Sequence, residues 1–418
     1  MPRSPTPPAP DCDPFDFLPA QLRTTLAFPL PVLRDSSTSR SRSARAAAHW
    51  LPTGTAAYAR ILALTGAAQT SIRCETYIWG NDPVAHRFRA AFARAAARGV
   101  RVHVLIDGVG SSSLPPGYWQ ELENAGGTVR VFNPISLRHF SIRDHRKIFI
   151  VDDAIAITGG FNIAAEYDGD GVTSGWRDLG LELTDPAAIR PLVTAFDEMF
   201  AAHELRPWLL RRIPRRTTPP QPRTSEVGPV LFSGPHLVRN EFSRQLLRLL
   251  KSARHVRIAS AYFAPSFRLR RALRGVARRG GTVELLLAGP TDVPLAQLAA
   301  RSLYGALLKA GIRIWEYQPQ VLHTKLALVD DTLFVGSANL DARSLAINYE
   351  LTVHLRDAAL AAEAAADFDR DLKHSRAITY SEWEKTRTWL TRLRGSWARF
   401  LITKVDPWLA RRQMRGLS

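Results

Sequence analysis

The sequence predicts an α/β protein made of two duplicated units, each a sheet sandwiched by helices, packed with pseudo-twofold symmetry around one cleft. Three observations predict it. The string His-x-Lys-x-x-x-x-Asp occurs twice, as His145/Lys147/Asp152 and as His323/Lys325/Asp330, and each copy runs into a Gly-rich turn ending in Asn. Strand-like and helix-like segments alternate in the same order ahead of each copy. A Pro/Arg-rich stretch, RPWLLRRIPRRTTPPQPRTSEVGP, separates the two series.

Residues 1–45 are rich in Pro and then in Ser and Arg, a composition expected of a loosely ordered arm. The first unit, 46–205, begins with the helix-like YARILALTGAA. It continues through the strand SIRCETYIW, the helix VAHRFRAAFARAAARG, the strand VRVHVLIDG, the short helix GYWQELENAGG and the strand TVRVF. After a 12-residue loop the first motif opens the strand HRKIFIVDD. The linker occupies 206–228. In the second unit, 229–375, the order repeats: helix NEFSRQLLRLLKSA, strand HVRIASAYF, helix RLRRALRGVARRGG, strand TVELLLAG, helix LAQLAARSLYGALLKAG, strand IRIWEY, and the second motif strand HTKLALVDD. Residues 376–418 form a basic, Trp-rich tail.

Chance does not explain the motif. With 11 His, 7 Lys and 23 Asp in 418 positions, random placement gives about 0.01 matches to the spacing. Only 7 of the 56 basic residues are Lys, yet Lys stands at the same offset from His in both copies. A compact ammonium can stay beside a phosphoryl oxygen as its geometry changes, whereas the guanidinium fork is rigid.

The formal net charge of +18 points to a polyanionic partner, either a phosphate backbone or an anionic membrane surface. Cys12 and Cys74 are far apart and in no ligand or redox spacing, so two ordinary thiols in a reduced compartment are expected. No apolar run approaches the roughly 18–20 residues that span a bilayer, and the first residues lack a signal-peptide core. A soluble or peripheral protein is expected.

Two imidazoles facing one phosphodiester can split a displacement into two steps. One attacks phosphorus, and the other protonates the leaving alcohol and then activates the acceptor. Lys147 and Lys325, with Asn162, Asn339 and the Ser337 hydroxyl, are expected to hold the non-bridging oxygens of the five-coordinate transition state. No cofactor or metal is called for, and no cluster at metal-ligand spacing is present in the sequence.

The blocks HRKIFIVDDAIAITGGFN and HTKLALVDDTLFVGSANLDARSLAINYE resemble the phospholipase D superfamily, over about residues 50–375. CETYIW, VHVLIDGVGS, GGFNIAAEY, WRDLGLEL and AYFAP resemble its bacterial cardiolipin synthase branch. The resemblance implies phospholipase D-like α/β/α units and a histidine phosphorylated by the substrate, here His145, with His323 as acid/base. It implies that Asp178 and Glu350 orient the imidazoles through Nδ1. Asp152 and Asp330, part of each catalytic motif, it implies to be mainly structural.

Two departures stand out. Gly160 occupies the place of Ser337, and only five residues separate Asp330 from Gly336 against six between Asp152 and Gly159. A deleted residue inverts every later side chain of a strand unless the turn absorbs it. A tightened hairpin around Asp331 and Thr332 is expected, with Ser337 and Asn339 still in place.

Glu75 and Tyr77 either line the cleft or sit in the core, as alternate residues of a buried strand. Arg177 is expected to pair with a carboxylate, and Trp79 and Trp176 to be aromatic core rather than a lipid entrance. In the tail, residues 373–418 carry 11 Lys/Arg, 3 acids and 4 of the 10 Trp. Leu390, Leu393, Trp397, Phe400 and Leu401 fall at helical spacing with Arg392, Arg394 and Arg399 between them. This is the pattern of an interfacial helix on an anionic bilayer, with Trp383, Trp389 and Trp408 at headgroup level. The competing reading is a helix docked on the protein's own core.

The leading functional expectation is a phosphatidyltransferase that moves a phosphatidyl group between phospholipids, two phosphatidylglycerols giving cardiolipin and glycerol. Its partners would be anionic phospholipids, and nucleic acid is not expected. A monomer on the cytoplasmic face of a bacterial membrane follows from the resemblance, the absent signal and the presence of both motifs in one chain. A phospholipase D hydrolase is the near alternative, a nucleic-acid phosphodiesterase the second class, and a membrane-binding protein with a relict site the third.

Overall fold

The computed structural model describes residues 47–134, 141–202, 230–235 and 240–415. The expected arm and linker, Cys12, and part of the loop before the first motif lie outside the described residues.

Two sheets carry one repeated topology. The first comprises β1 (Ala48–Leu51), β2 (Ser71–Thr76), β3 (Arg101–Asp107), β4 (Thr128–Phe132), β5 (Ile148–Val151), β6 (Ile155–Gly159) and β7 (Gly180–Leu183), in the order β1-β7-β6-β5-β2-β3-β4. The second comprises β8 (Val230–Ser233), β9 (His255–Ser260), β10 (Thr282–Ala288), β11 (Arg313–Tyr317), β12 (Lys325–Val329), β13 (Thr332–Gly336), β14 (Glu350–Arg356) and β15 (Ser375–Ile378), in the order β15-β11-β10-β9-β12-β13-β14-β8. In each, three parallel strands join antiparallel to a motif hairpin. The added β15 edges the second sheet.

Helices start where polar caps stop the chain from extending. Thr53 opens α1 (Gly54–Ala67) and Asp82 opens α2 (Pro83–Ala97). After the short α3 (Gln120–Asn124), Asp185 opens α4 (Pro186–Ala201). In the second half Asn240 caps α5 (Glu241–Leu249) and Ser266 caps α6 (Phe267–Arg278). Each cap side chain accepts a backbone N–H of the first turn that no helical carbonyl reaches. Next come α7 (Pro294–Leu308), α8 (Ala342–Ala346) and α9 (Ala358–Lys373), followed by the tail helices α10 (Tyr380–Lys385), α11 (Trp389–Phe400) and α12 (Asp406–Arg415).

The helices form the outer layers of both halves, with α1 and α2 closing one core and α5, α6 and α7 the other. A third core belongs to both halves. Ile148, Ile150, Leu181 and Leu183 of the first sheet meet Leu326, Leu328, Leu333 and Val353 of the second, together with α4 and α9. Strands buried on both faces read as continuous apolar runs, and IFIV and LFV do so.

The missing residue of the second copy is absorbed at the hairpin turn. Val151 pairs with Ile155 across three turn residues, whereas Val329 pairs with Thr332 across two. The register at the other end is the same, Ile148 with Thr158 and Leu326 with Val335. Asp152, Asp153 and Asp330 take the left-handed conformation at φ of 51°, 53° and 52°, which Asp tolerates better than most residues.

The tail adds neither a free helix nor a simple core helix. Its α11 lies on α7 through Gly395 and Ala398, the two residues it buries. A Cβ on Gly395 would stand 3.1 Å from Ser302 Cβ and 3.4 Å from the Leu298 carbonyl oxygen, so glycine permits the close crossing. Trp389, Leu393, Trp397 and Phe400 face outward. Trp383, expected at headgroup level, is instead a core anchor. It is 9% exposed, fills the space over Gly305 and donates its indole N–H to the Arg301 carbonyl at 3.2 Å. Spacing alone cannot separate it from Trp389 because α10 turns its own face to α7.

Candidate active site

Each motif histidine sits just before its strand, in a segment that pairs with the opposite half. His145 donates its backbone N–H to the Tyr349 carbonyl at 2.9 Å, and Tyr349 returns one to Arg143. Likewise His323 donates to Arg177 at 2.8 Å, and Arg177 to Val321. These two short parallel bridges place each histidine beside the residue that precedes the other half's acid.

The side chains follow the backbone. His145 Nδ1 donates to Glu350 Oε2 at 3.1 Å, and His323 Nδ1 to Asp178 Oδ2 at 2.6 Å. Both expected orienting acids therefore act across the pseudo-twofold axis, each on the other half's histidine. A carboxylate at Nδ1 fixes the tautomer that leaves the Nε2 lone pair for chemistry.

Burial sets the protonation states. Desolvation pulls His145 below its ordinary range, against the pull of Glu350 and with the push of Lys147. Desolvation holds His323 well below it, and Lys325, Lys147 and His145 add repulsion. Both rest as neutral imidazoles. Burial pushes Asp178 up to about 6, opposed by Lys325. It pushes Lys147 down to about 7, opposed by Glu350, and Lys325 down to about 8, opposed by Asp178. Two ammonium groups that repel one another in a buried site favour an arriving anion.

The lysines are held by their own motif backbone. Lys147 Nζ donates to the His145 carbonyl at 2.8 Å, and Lys325 Nζ donates to that of His323 while lying 2.8 Å from its Nδ1. Since Nδ1–H already faces Asp178, that second approach is repulsive toward an imidazolium.

The remaining expected residues divide. Asn162 is buried with both ends of its amide engaged: Oδ1 accepts from Ile78 N at 3.1 Å, and Nδ2 donates to Tyr167 Oη at 2.7 Å. Asn339 is buried with Oδ1 unpaired among the described residues. The Ser337 hydroxyl, expected on a phosphoryl oxygen, donates to Glu350 at 2.5 Å and accepts from Leu351 N. In the first half a Cβ on Gly160 would fall 2.3 Å from Asp178 Oδ1, and Leu179 N donates directly to that carboxylate. Gly with Asp, and Ser with Glu, are two ways to satisfy the same backbone N–H beside an orienting acid.

Asp152 and Asp330, counted in the motif with the catalytic side chains, lie at the far turns. Asp152 accepts from the N–H groups of Gln69, Thr70 and Ser71, and Asp330 from those of Arg254 and His255. Four strand residues at roughly 3.3 Å each separate them from the lysines, so neither reaches the reacting atoms.

Glu75 is bound to Arg146 at 2.6 Å in the core, and Arg177 to Asp371 at 2.8 Å. Trp79 is core and donates to Tyr118 Oη. Tyr77 does line the site, its ring 5.0 Å from that of His145 and 5.4 Å from Lys147 Nζ. Trp176 and Tyr167 flank His323 at 5.5 and 5.2 Å. Sequence reasoning missed Tyr167 and Asp292. The latter accepts from Tyr262 Oη at 2.6 Å and exerts its charge on His323 and Lys325. Tyr167 ends a single 3-10 turn, Ala165–Tyr167, and Asp292 sits in a loop, and the strand pattern encodes neither path.

Two imidazoles oriented from opposite halves beside two depressed lysines, on a duplicated α/β frame, define a single-chain, two-motif enzyme of the phospholipase D type. Residues 61–200 and 246–372 both match the family described as "Cardiolipin synthase, PLD-like domain". The chain belongs to that family and is a phospholipase D-type phosphatidyltransferase. It is 36% identical to cardiolipin synthase B of Escherichia coli strain K12 over 315 residues, 73% of this chain and 76% of that one. To the major cardiolipin synthase of Bacillus subtilis it is 32% identical over 353 residues, 82% of this chain and 72% of that one. The fold is similar to a phosphatidylserine synthase of Haemophilus influenzae, with a TM-score of 0.67 at 15% identity, over 87% of this chain and 95% of that one.

Proposed function

We propose that this chain makes cardiolipin, transferring the phosphatidyl group of one phosphatidylglycerol to the free hydroxyl of a second. His145 Nε2 attacks phosphorus and the bond to the glycerol oxygen breaks, while His323 delivers a proton to that oxygen. The phosphohistidine at His145 is then attacked by the acceptor oxygen, His323 takes the acceptor's proton, and the P–N bond breaks. His323 must be protonated for the first step. The arriving phosphodiester offsets the repulsion from Lys325 and Lys147 and raises its affinity for a proton. Lys147 and Lys325 stabilise the non-bridging oxygens as charge builds. Asn339 would donate its amide Nδ2–H to them, while Asn162 and Ser337 contribute by holding Tyr167 and Glu350.

The observation that carries this reading is the crossed pairing of His145 with Glu350 and His323 with Asp178. It makes the two imidazoles two ends of one relay. The more exposed His145, with 12% of its side chain accessible against 4% for His323, is the one open to the donor. The enzyme would act as a monomer, peripheral to the cytoplasmic face of a bacterial membrane. No helix among the described residues is long and apolar enough to cross one.

Thin-layer chromatography of the purified protein with phosphatidylglycerol vesicles, beside His145→Ala and His323→Ala, tests it. Cardiolipin and glycerol formed by wild type alone are expected. Phosphatidic acid alone would make the protein a hydrolase. Lipid left intact in all samples would overturn the reading and move the search to nucleic-acid phosphodiesters.

A further inference from the structure

All twelve of the exposed large apolar side chains among the described residues fall in one region: the starts of α6 and α7, α11, and the stretch 401–409. The first half of the molecule has none among its described residues. At 100° per residue, Trp389, Leu390, Leu393, Trp397 and Phe400 share an arc of roughly 100° on α11, and Leu401 follows at its end. Gly395 and Ala398, which dock the helix on α7, lie on the far side of the wheel from that arc. The helix is therefore fixed in place with its apolar side held outward, Trp389 at 76% and Trp397 at 57% exposure. Phe267, 60% exposed at the start of α6, extends the same surface.

The rim of this surface is cationic and uncompensated. Arg270 of α6 lies over the Phe267 ring at 5.9 Å and is near enough to Arg399 of α11 and Arg274 for burial and their charges to depress its own affinity for a proton. Its Nε is buried without a hydrogen-bond partner, and no carboxylate pairs with Arg270, Arg274 or Arg399 among the described residues. Elsewhere in this fold Arg73, Arg146, Arg177 and Arg301, buried or half-buried, each pair with an acid. An uncompensated guanidinium cluster at the edge of an apolar surface calls for an external anion.

The surface also adjoins the catalytic cleft. Val293, at its edge, follows Asp292, whose charge His323 and Lys325 feel. At the other end Asp406 binds Arg343 at 2.5 Å, in the helix whose cap, Asp341, lies two residues beyond Asn339.

We infer that α11, with the starts of α6 and α7, forms a plateau that seats the enzyme on an anionic phospholipid bilayer, its aromatic face entering the headgroup layer and Arg270, Arg274 and Arg399 taking lipid phosphates. The inference builds on the reading that the substrate is a phospholipid, and it names the surface through which the cleft meets the membrane. Exposed aromatics fixed on a rigid helix beside basic residues match the chemistry of an interface better than that of water or a bilayer interior.

Cosedimentation with vesicles tests it, using 30:70 phosphatidylglycerol:phosphatidylcholine beside pure phosphatidylcholine. Two variants are compared with wild type, Trp397→Ser combined with Phe400→Ser, and Arg270→Glu combined with Arg399→Glu, each checked by thermal melting for an intact fold. At least a tenfold loss of vesicle binding is expected in both, with wild type binding mixed vesicles at least tenfold better than pure phosphatidylcholine. Brominated acyl chains should quench wild-type tryptophan emission, which adsorption by charge alone would not do. Undiminished binding by either folded variant overturns the plateau. So does a wild-type dimer in sedimentation velocity that Trp397→Ser with Phe400→Ser dissolves, since a second copy would then be the occupant. Binding is read separately from turnover: variant-sensitive binding without lipid turnover upholds the surface while the transferase reading falls.

Discussion

The two halves carry one motif on one topology, yet they support it with different chemistry. In the first, a bare Gly160 lets the short Asp178 carboxylate take the Leu179 N–H itself. In the second, Ser337 stands between the longer Glu350 and the Leu351 N–H. Because the acids cross over, the Gly/Asp device serves His323 at 2.6 Å and the Ser/Glu device serves His145 at 3.1 Å. The shorter bond goes to the more deeply buried imidazole. A duplicated site can thus assign unequal roles to equal motifs through the residues that orient them.

The largest test of that inequality is which histidine becomes covalent. His145→Ala and His323→Ala should each lose at least about 10⁴-fold in turnover, since each removes a group that acts as part of a unit. Quenched wild type should carry the acid-labile, base-stable phosphatidyl adduct on His145 alone, seen by mass spectrometry. An adduct on His323 would reverse the assignment of roles.

Neutralising the acids comes next. Asp178→Asn and Glu350→Gln should each cost about 10²–10⁴-fold by loosening the tautomer and withdrawing charge from the imidazolium. Rapid-quench kinetics should show that Glu350→Gln slows adduct formation. Asp178→Asn should also slow adduct breakdown, although Asp178 belongs to the half that contributes His145. If Asp178→Asn matched Glu350→Gln at every step, the crossed division of labour would fail.

Exchanging the small residues should be unequal too. Gly160→Ser brings a Cβ to 2.3 Å from Asp178 and should lower kcat about 10²-fold, whereas Ser337→Gly removes the hydroxyl's hydrogen bonds to Glu350 and Leu351 N without a steric clash and should cost about tenfold. Equal effects would mean that the two devices are interchangeable.

The lysines separate by pH. Asp178 works ionised, so activity falls as pH drops through about 6. Lys147 and Lys325 work protonated, so activity falls as pH rises through about 7 and then about 8. The kcat/KM profile of the free enzyme should peak between about 6 and 7. Lys147→Arg, charged throughout, should move the alkaline limb to about 8 despite a lower maximum. A limb that stays in place would remove Lys147 from the titration.

The smallest effects belong to the turns. Asp152→Ala and Asp330→Ala should cost about 1–2 kcal/mol in denaturant melts through lost N–H acceptors, with kcat unchanged. A glycine inserted after Asp331 should change neither by more than about twofold, since the register at Lys325 is already that of the first half.

Much of this is legible in the sequence. The motif spacing located both histidines and lysines, and short apolar runs alternating with helical patterns placed the strands and helices around them. The orienting acids were legible through resemblance. Their crossing was not, because it depends on Asp144 meeting Tyr349 and Arg177 meeting Leu322, contacts between segments some two hundred and one hundred and forty-five residues apart. The tail shows the same boundary. Its apolar stripe was readable, but that Gly395 and Ala398 would turn the stripe outward, and that Trp383 would leave it for the core, depended on the shape of α7.

The two short bridges that carry the crossing also bind the inheritance of the halves. A substitution in one half's acid changes the reactivity of the other half's histidine, so neither copy is free to diverge alone. Co-produced as separate polypeptides, the halves should be inert singly and regain activity only on reassembly. A chimaera that takes one half from a relative should work only where the borrowed half brings a compatible acid for its new companion's imidazole.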